Sequence, residues 1–436
     1  MKITMIGTGY VGLVTGTCLA EFGHHVVCVD KIEDKIQRLQ QGKIPIYEPG
    51  LEELVNKNIS EGRLSFTTNL AEAVPEAAAV FIAVGTPSSR RGDGYADLTY
   101  IYAAAREIAS ALQGYTVIVD KSTVPIGTAR QVERIIRQEN PAADFDVASN
   151  PEFLREGAAL NDFMRPDRVV IGIDSEKAEQ VLHEIYKPLY LLHTPIVSTT
   201  IETAELTKYA ANAFLAVKIS FINEIANVCE AIGADVSDLA QAIGMDGRIG
   251  KKFLHPGPGY GGSCFPKDTL ALLRIVQEHG VSLRIVEAAV EVNAAQKARM
   301  VKKIRDMLGG SEAGKKLAVL GLTFKPETDD MREAPSLTIL PALLEKGAFI
   351  KAHDPQGMNE AKNLLPKEVE YAGNAYEACQ DADAVILMTE WNQYRALDLE
   401  RIRDCLKKPV FIDLRNVYDP GQLKALGFAY SGVGRK

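Results

Sequence analysis

Lys2-Ile-Thr-Met-Ile-Gly7-Thr-Gly9-Tyr10-Val11-Gly12 decides the fold. A short, mostly apolar run reads as a buried strand, and the GxGxxG spacing that follows opens a helical segment, Gly12–Phe22. Gly7 permits the tight turn, Gly9 lets the backbone approach a pyrophosphate, and Gly12 lets the helix pack on the strand. The helix N-terminus then turns free N–H groups and a positive dipole end toward the phosphates. A second strand, His25–Val29, stops at Asp30, near the spacing of about 20 residues at which an acid meets a ribose diol. The same carboxylate would repel a 2′-phosphate, so the motif asks for NAD rather than NADP. A flexible turn beside a solvated aspartate is the competing reading, and the strand–turn–helix context argues against it.

Working outward, Ala79–Val84, Thr116–Asp120 and Arg168–Ile173 read as further buried strands, with helical segments such as Leu98–Leu112 between them. Alternating strand and helix predicts a parallel, doubly wound sheet. From about Thr200 to Met307 the pattern turns helical. Glu202–Ile232 is one proline-free helical stretch with apolar positions on several faces, and residues 264–279 and 282–307 look like further helices. Arg248–Ser263, rich in glycine and proline, reads as loop. Strand signals return at Leu317–Leu320, Phe349–Ala352, Ala384–Met388 and Val410–Asp413. The expected fold is therefore α/β: two Rossmann-like doubly wound parallel-sheet domains, residues 1–200 and 308–436, joined by a long-helix dimerisation core, residues 201–307.

The chain has 436 residues, 46% apolar and 24% charged, with a formal net charge of −8. That composition is ordinary for a soluble protein, and the mild acidic excess argues against nucleic acid or an anionic membrane as main partner. No apolar run is long enough to span a bilayer, and the N-terminus enters a strand directly rather than a cleavable leader. The six cysteines are scattered without a CxxC pair, and the seven histidines do not join them at ligand spacing. A reducing cytoplasm without structural zinc is the expected setting.

Three segments carry the chemistry. In Phe253-Leu254-His255-Pro256-Gly257-Pro-Gly-Tyr-Gly261-Gly-Ser-Cys264-Phe-Pro-Lys267-Asp268, a cysteine follows a glycine-rich loop at the start of a helix. The helix N-terminus and Lys267 would both favour the thiolate, which is the nucleophilic form. Asp268, four residues on, shares its helix face. The other five cysteines read as small core residues. In Glu205-Leu-Thr-Lys208-Tyr-Ala-Ala-Asn212, Lys208 and Asn212 share a face amid apolar neighbours. That places a cation and an amide donor where a developing oxyanion needs them, unless the lysine snorkels to water. In Asn150-Pro-Glu152-Phe153-Leu154-Arg155-Glu156-Gly157, after the strand-like Phe145–Ala148, Glu152 is a candidate general base or a helix-start acid. Thr86, Thr123 and Lys35 lie at or after carboxyl ends of strands, where ligands of open α/β sheets bind; turn capping and a surface lysine are the plainer alternatives.

GGSCFPKD, PEFLREG, ELTKYAANAFLAVKISFINE and FKPETDDMREAPS, in this order, resemble the UDP-glucose/GDP-mannose dehydrogenase family along essentially the whole chain, closest to the branch acting on UDP-glucose. The resemblance implies an NAD domain, a helical dimer core and a UDP-binding domain. It also implies a four-electron oxidation using two NAD, with a thiohemiacetal and then a thioester on Cys264. Lys208, Asn212 and Asp268 would handle protons and oxyanion, and Glu152 and Thr123 the water. Glu156, Lys267 and Arg332 would lie near the cofactor. Phe153, Leu154, Arg155, Arg248, Phe253–Gly257, Gly261, Lys325 and Arg415 would hold the sugar nucleotide, Arg248 reaching across a homodimer. Ser263 and Phe265 favour UDP-glucose over UDP-N-acetylhexosamines and GDP-mannose. A non-catalytic NAD sensor on the same fold is the rival from another class.

Overall fold

A computed structural model of the protein describes residues 1–87 and 96–435. The chain divides into two compact units: Met1–Ala211 with Gln277–His279, and Asn212–Val276 with Gly280–Lys436.

The first unit is built on an eight-stranded sheet of order β3-β2-β1-β4-β5-β6-β7-β8. Its strands are β1 (Lys2–Ile6), β2 (His25–Val29), β3 (Leu64–Thr67), β4 (Ala79–Ile82), β5 (Thr116–Asp120), β6 (Phe145–Ser149), β7 (Val169–Gly172) and β8 (Ile196–Thr199). Side chains alternate between two buried layers: Met5, Cys28, Phe81 and Val119 face one, Val80, Ile82 and Ile118 the other. Burial on both faces is why these strands read as unbroken apolar runs. The sheet departs from the all-parallel expectation at one place, where β7 meets β6 antiparallel through Ser149 and Gly172. The Asn150 side chain bridges that junction, its Nδ2 donating to the Val170 carbonyl at 2.8 Å.

The second unit carries a six-stranded sheet of order β11-β10-β9-β12-β13-β14, every pairing parallel. The strands are β9 (Lys316–Leu320), β10 (Phe349–His353), β11 (Glu370–Tyr371), β12 (Ala384–Leu387), β13 (Val410–Asp413) and β14 (Ala429–Gly432). Leu317, Val319, Ile386 and Ile412 face one core layer, Ala318, Leu320, Val385 and Phe411 the other. Strands β3, β8, β11 and β14 escaped the sequence pattern because these edge elements are partly exposed and lack the unbroken apolar run of the equally short β4, β7, β12 and β13.

Both sheets change direction between their first and fourth strands, which opens a crevice beyond the strand ends. At the first crevice Gly7 has φ +99°, and a Cβ there would meet the Ala83 carbonyl oxygen at 2.5 Å. A Cβ on Gly12 would lie 2.0 Å from the Gly7 oxygen, whereas one on Gly9 meets nothing within 4 Å. Gly7 and Gly12 therefore have no room for a side chain, whereas Gly9 faces open space. The second crevice repeats the device: Gly321 N donates to His353 O at 2.9 Å, as Gly7 N does to Val29 O at 2.8 Å.

The helix Ile201–Ile232 has 32 residues, or about 48 Å at 1.5 Å per residue. Helices Phe265–Glu278 and Arg284–Met307 lie close to the expected bounds. Between the long helix and these two comes a shorter one, Val236–Gly244, capped by the Asp235 side chain. Arg248–Ser263 contains neither helix nor strand. Substituting Gly12→Ala is expected to cost about 1–3 kcal/mol, because main chain cannot move aside for the new methyl. NAD affinity should fall with it. A urea midpoint equal to that of the wild type would show the helix–strand approach is looser than described.

Candidate active site

The first glycine turn is held by Asp30. Its Oδ2 accepts from Thr8 N at 3.0 Å, Thr8 Oγ1 at 2.7 Å and Lys35 Nζ at 2.8 Å. Burial alone would raise this carboxyl; the Lys35 and Thr8 hydrogen bonds outweigh it and hold it below the usual carboxylate range. Asp30 stays ionised beside the turn. Lys35 is thus placed on Asp30 rather than out in solvent. Thr86 and Thr123 come together, Thr86 Oγ1 donating to the Thr123 carbonyl at 2.9 Å. Tyr10, the first residue of helix Tyr10–Glu21, donates to Glu48, which is 4% exposed. Glu48 also accepts from Gly157 N at 2.6 Å and Ala159 N at 2.7 Å, tying the glycine-turn helix to the segment after Glu156. Sequence reasoning missed Glu48, since an acid among many in a loop carries no local signal. The open space at Gly9, the helix start and the ionised Asp30 fit NAD.

Asn150, Pro151 and Glu152 leave the end of β6. Glu152 is 6% exposed and Lys208 3%. Lys208 Nζ donates to Glu152 Oε1 at 2.9 Å, and Leu154 N donates to Oε2 at 2.5 Å. The snorkelling alternative for Lys208 is excluded. Phe153 lies beneath Lys208, ring centroid to Nζ 5.5 Å. Arg155 turns to Asp162 through its N–H and guanidinium.

One turn along the same helix, Asn212 Nδ2 donates to Asp268 Oδ2 at 2.6 Å. Asp268 is 1% exposed, and Lys267 Nζ lies 3.0 Å from its Oδ1. Cys264 directly precedes helix Phe265–Glu278, and its carbonyl accepts the helix bond from Asp268 N at 2.8 Å. Its thiol is half-buried, with Ser263 Oγ at 3.5 Å. Lys267 gives its charge to Asp268. By contrast Cys28 and Cys379 are buried, and burial pushes both thiols up to about 12. Cys18 and Cys229 are buried too, while Cys405 is half-buried and packs against the edge of a core cluster.

The loop before Cys264 is threaded through the second unit by side-chain amides. Asn223 Oδ1 accepts from Gly257 N at 2.8 Å, and Gln296 Nε2 donates to Gly257 O at 2.8 Å. Asn293 takes both main-chain groups of Tyr260 at 2.7 and 3.1 Å. Phe253 sits at φ +65°, its ring edge-on to Phe265. A Cβ on Gly257 would lie 3.2 Å from Arg415 Nη1, and one on Gly261 would lie 2.3 Å from Glu333 O. Arg415 Nη2 donates to Phe324 O at 2.8 Å, beside Lys325. The structure thus gathers Gly257, Phe324 and Arg415. Leu254 is buried in the same core as Leu322 and Leu414. The Arg332 and Arg248 guanidinium groups bind their neighbours Asp330 and Asp246, with Arg248 90% exposed. Asn223, Asn293 and Gln296 were not foreseen, because lone amides in long helices look like surface residues.

Two dinucleotide-type sheets with buried charge on the helix that follows the first define a nucleotide-dependent dehydrogenase. The chain belongs to the UDP-glucose/GDP-mannose dehydrogenase family: its NAD binding domain matches residues 1–190, its central domain 202–295 and its UDP binding domain 318–420. Over 437 residues, and the whole of both chains, it is 58% identical to the UDP-glucose 6-dehydrogenase of Rhizobium meliloti. It is 49% identical to UDP-glucose 6-dehydrogenase TuaD of Bacillus subtilis, covering all of this chain and 93% of that one. The solved UDP-glucose dehydrogenase of Pyrobaculum islandicum superposes with a TM-score of 0.91 at 41% identity, covering 100% of this chain and 98% of that one.

Glu152→Ala leaves the Lys208 ammonium buried without its carboxylate and is expected to cost about 3–5 kcal/mol. The Glu152→Ala/Lys208→Met double variant should recover much of that loss. Strictly additive losses in denaturant melts would mean the two charges do not interact.

Proposed function

We propose that the protein is an NAD-dependent UDP-glucose 6-dehydrogenase that oxidises the sugar's primary alcohol to a carboxylate through a covalent intermediate on Cys264. The observation that carries this reading is the pairing of two buried polar couples, Lys208–Glu152 and Asn212–Asp268, on successive turns of one helix. A nucleotide sensor has no use for two such couples, which are costly to bury. The family, and relatives that are UDP-glucose 6-dehydrogenases, support the substrate.

Bound NAD supplies the hydride acceptor, one molecule for each of two oxidations. The first removes a hydride and a proton from the C6 alcohol and leaves an aldehyde. Cys264 Sγ adds to that carbon, giving a thiohemiacetal; covalent capture keeps the aldehyde from escaping. Loss of a second hydride and proton gives a thioester. Water attacks it, the C–S bond breaks, and carboxylate and thiol are released. Lys208 and Asn212 stabilise the oxyanion, and Asp268 exchanges protons with it. Glu152, with Thr123, orients and deprotonates the water.

Gly7, Gly9, Tyr10, Val11, Gly12, Asp30, Lys35, Thr86, Thr123, Glu156, Lys267 and Arg332 form the cofactor set of this reading. Phe153, Leu154, Arg155, Arg248, Phe253, Leu254, His255, Pro256, Gly257, Gly261, Lys325 and Arg415 join the catalytic groups in holding UDP-glucose. Regions 1–200, 201–307 and 308–436 then serve cofactor, dimer core and UDP. A cytoplasmic homodimer is proposed. Phe214, Phe221 and Val228 are exposed at seven-residue spacing along one stripe of the long helix, which suits a second copy of it.

Protein, NAD and UDP-glucose together should produce reduced cofactor in a ratio of two per sugar, and Cys264→Ser should abolish turnover while NAD binding survives. A ratio of one, or a serine variant with near-normal steady-state rate, removes the covalent four-electron scheme. Phe221→Asp is expected to release monomers in light scattering; an unchanged mass would move the interface elsewhere.

A further inference from the structure

Lys121 directly follows β5, and it is 4% exposed. Its Nζ donates to Asn150 Oδ1 at 3.0 Å and to the Tyr186 hydroxyl at 3.4 Å. Tyr186 in turn donates to the same Asn150 oxygen at 2.5 Å. The rings of Phe163 and Tyr186 flank the amine, each centroid 5.9 Å away. These hydrogen bonds all run to neutral oxygens. An ammonium buried in this way is costly, and nothing in the scheme above uses it.

Asn150 is gripped from four sides. Its N–H donates to Asp120 O at 2.8 Å, its Nδ2 to Val170 O, and its Oδ1 accepts from Lys121 and Tyr186. Two residues later the chain presents Glu152 to Lys208. Lys121 therefore anchors the start of the turn that aims the general base.

We propose that Lys121 is a positioning residue for the Lys208–Glu152 pair: through Asn150 it fixes the turn that carries Glu152. This rests on the reading of Lys208 and Glu152 as catalytic. Burial pulls the Lys121 ammonium down to about 7, the Glu152 charge opposing this and Lys208 adding to it. The ionisable groups facing it are Glu152 from the β6 exit, Lys208 from the long helix and Tyr186 from the helix Glu176–Tyr186. Its chain neighbour Asp120 feels Glu205 instead. As pH rises through about 7, Lys121 loses its proton and a positive charge beside Lys208 disappears.

The test is the pH dependence of kcat for UDP-glucose oxidation in wild type, K121M, K121Q and Y186F. Gln keeps a donor to Asn150 without the charge, and Y186F removes a donor without touching it. We expect kcat to fall about 10- to 100-fold in K121M and less in K121Q, with KM little changed, as for a misaimed catalytic group. The inflection near 7 should vanish in both and persist in Y186F. A wild-type inflection in K121Q, a loss confined to KM, or loss of the inflection in Y186F as well would overturn the proposal. A wild type silent with UDP-glucose would instead sink the functional reading.

Discussion

One ammonium–carboxylate contact, Lys208 Nζ to Glu152 Oε1 at 2.9 Å, organises much of the first unit. Both partners lie away from water, so neither charge is tolerable alone. The long helix must therefore present Lys208 where β6 ends, and the turn after β6 must return Glu152 to meet it. That turn begins at Asn150, whose side chain also bridges the antiparallel junction of β6 and β7.

The two sheets solve a shared problem with shared means. In each, a glycine at the end of the first strand donates to the last residue of the second, Gly7 to Val29 and Gly321 to His353. In each, an aspartate just beyond that residue gathers the turn: Asp30 takes Thr8, and Asp354 takes the N–H groups of Leu322 and Thr323. Only the first turn carries GxGxxG, so the second sheet's likeness to it was legible from strand spacing alone and its aspartate was not. This is anchoring by main-chain donors with side-chain acids fixing their aim, a device that needs few particular residues and so leaves little mark in sequence.

The periodic strands, the long helix and the glycine turn could be read because burial on both faces and a steric demand each force residue type. One member of each polar couple could be nominated from the sequence, Lys208 and Asn212 by their helical spacing in apolar surroundings, and Cys264 by its glycine-rich approach. Their partners could not be assigned, because Glu152 and Asp268 are each 56 residues from the group they bind. Lys121 went unnamed for the same reason: its burial comes from Phe163 and Tyr186, far along the chain.

The loop that delivers Cys264 is held by Asn223, Asn293 and Gln296, all uncharged amides. None of them gains or loses a proton in water, and dipolar contacts of this kind are scarcely weakened by added electrolyte. These three anchors are in this sense electrically silent, so a change of acidity or ionic strength leaves their hold on the loop unaltered.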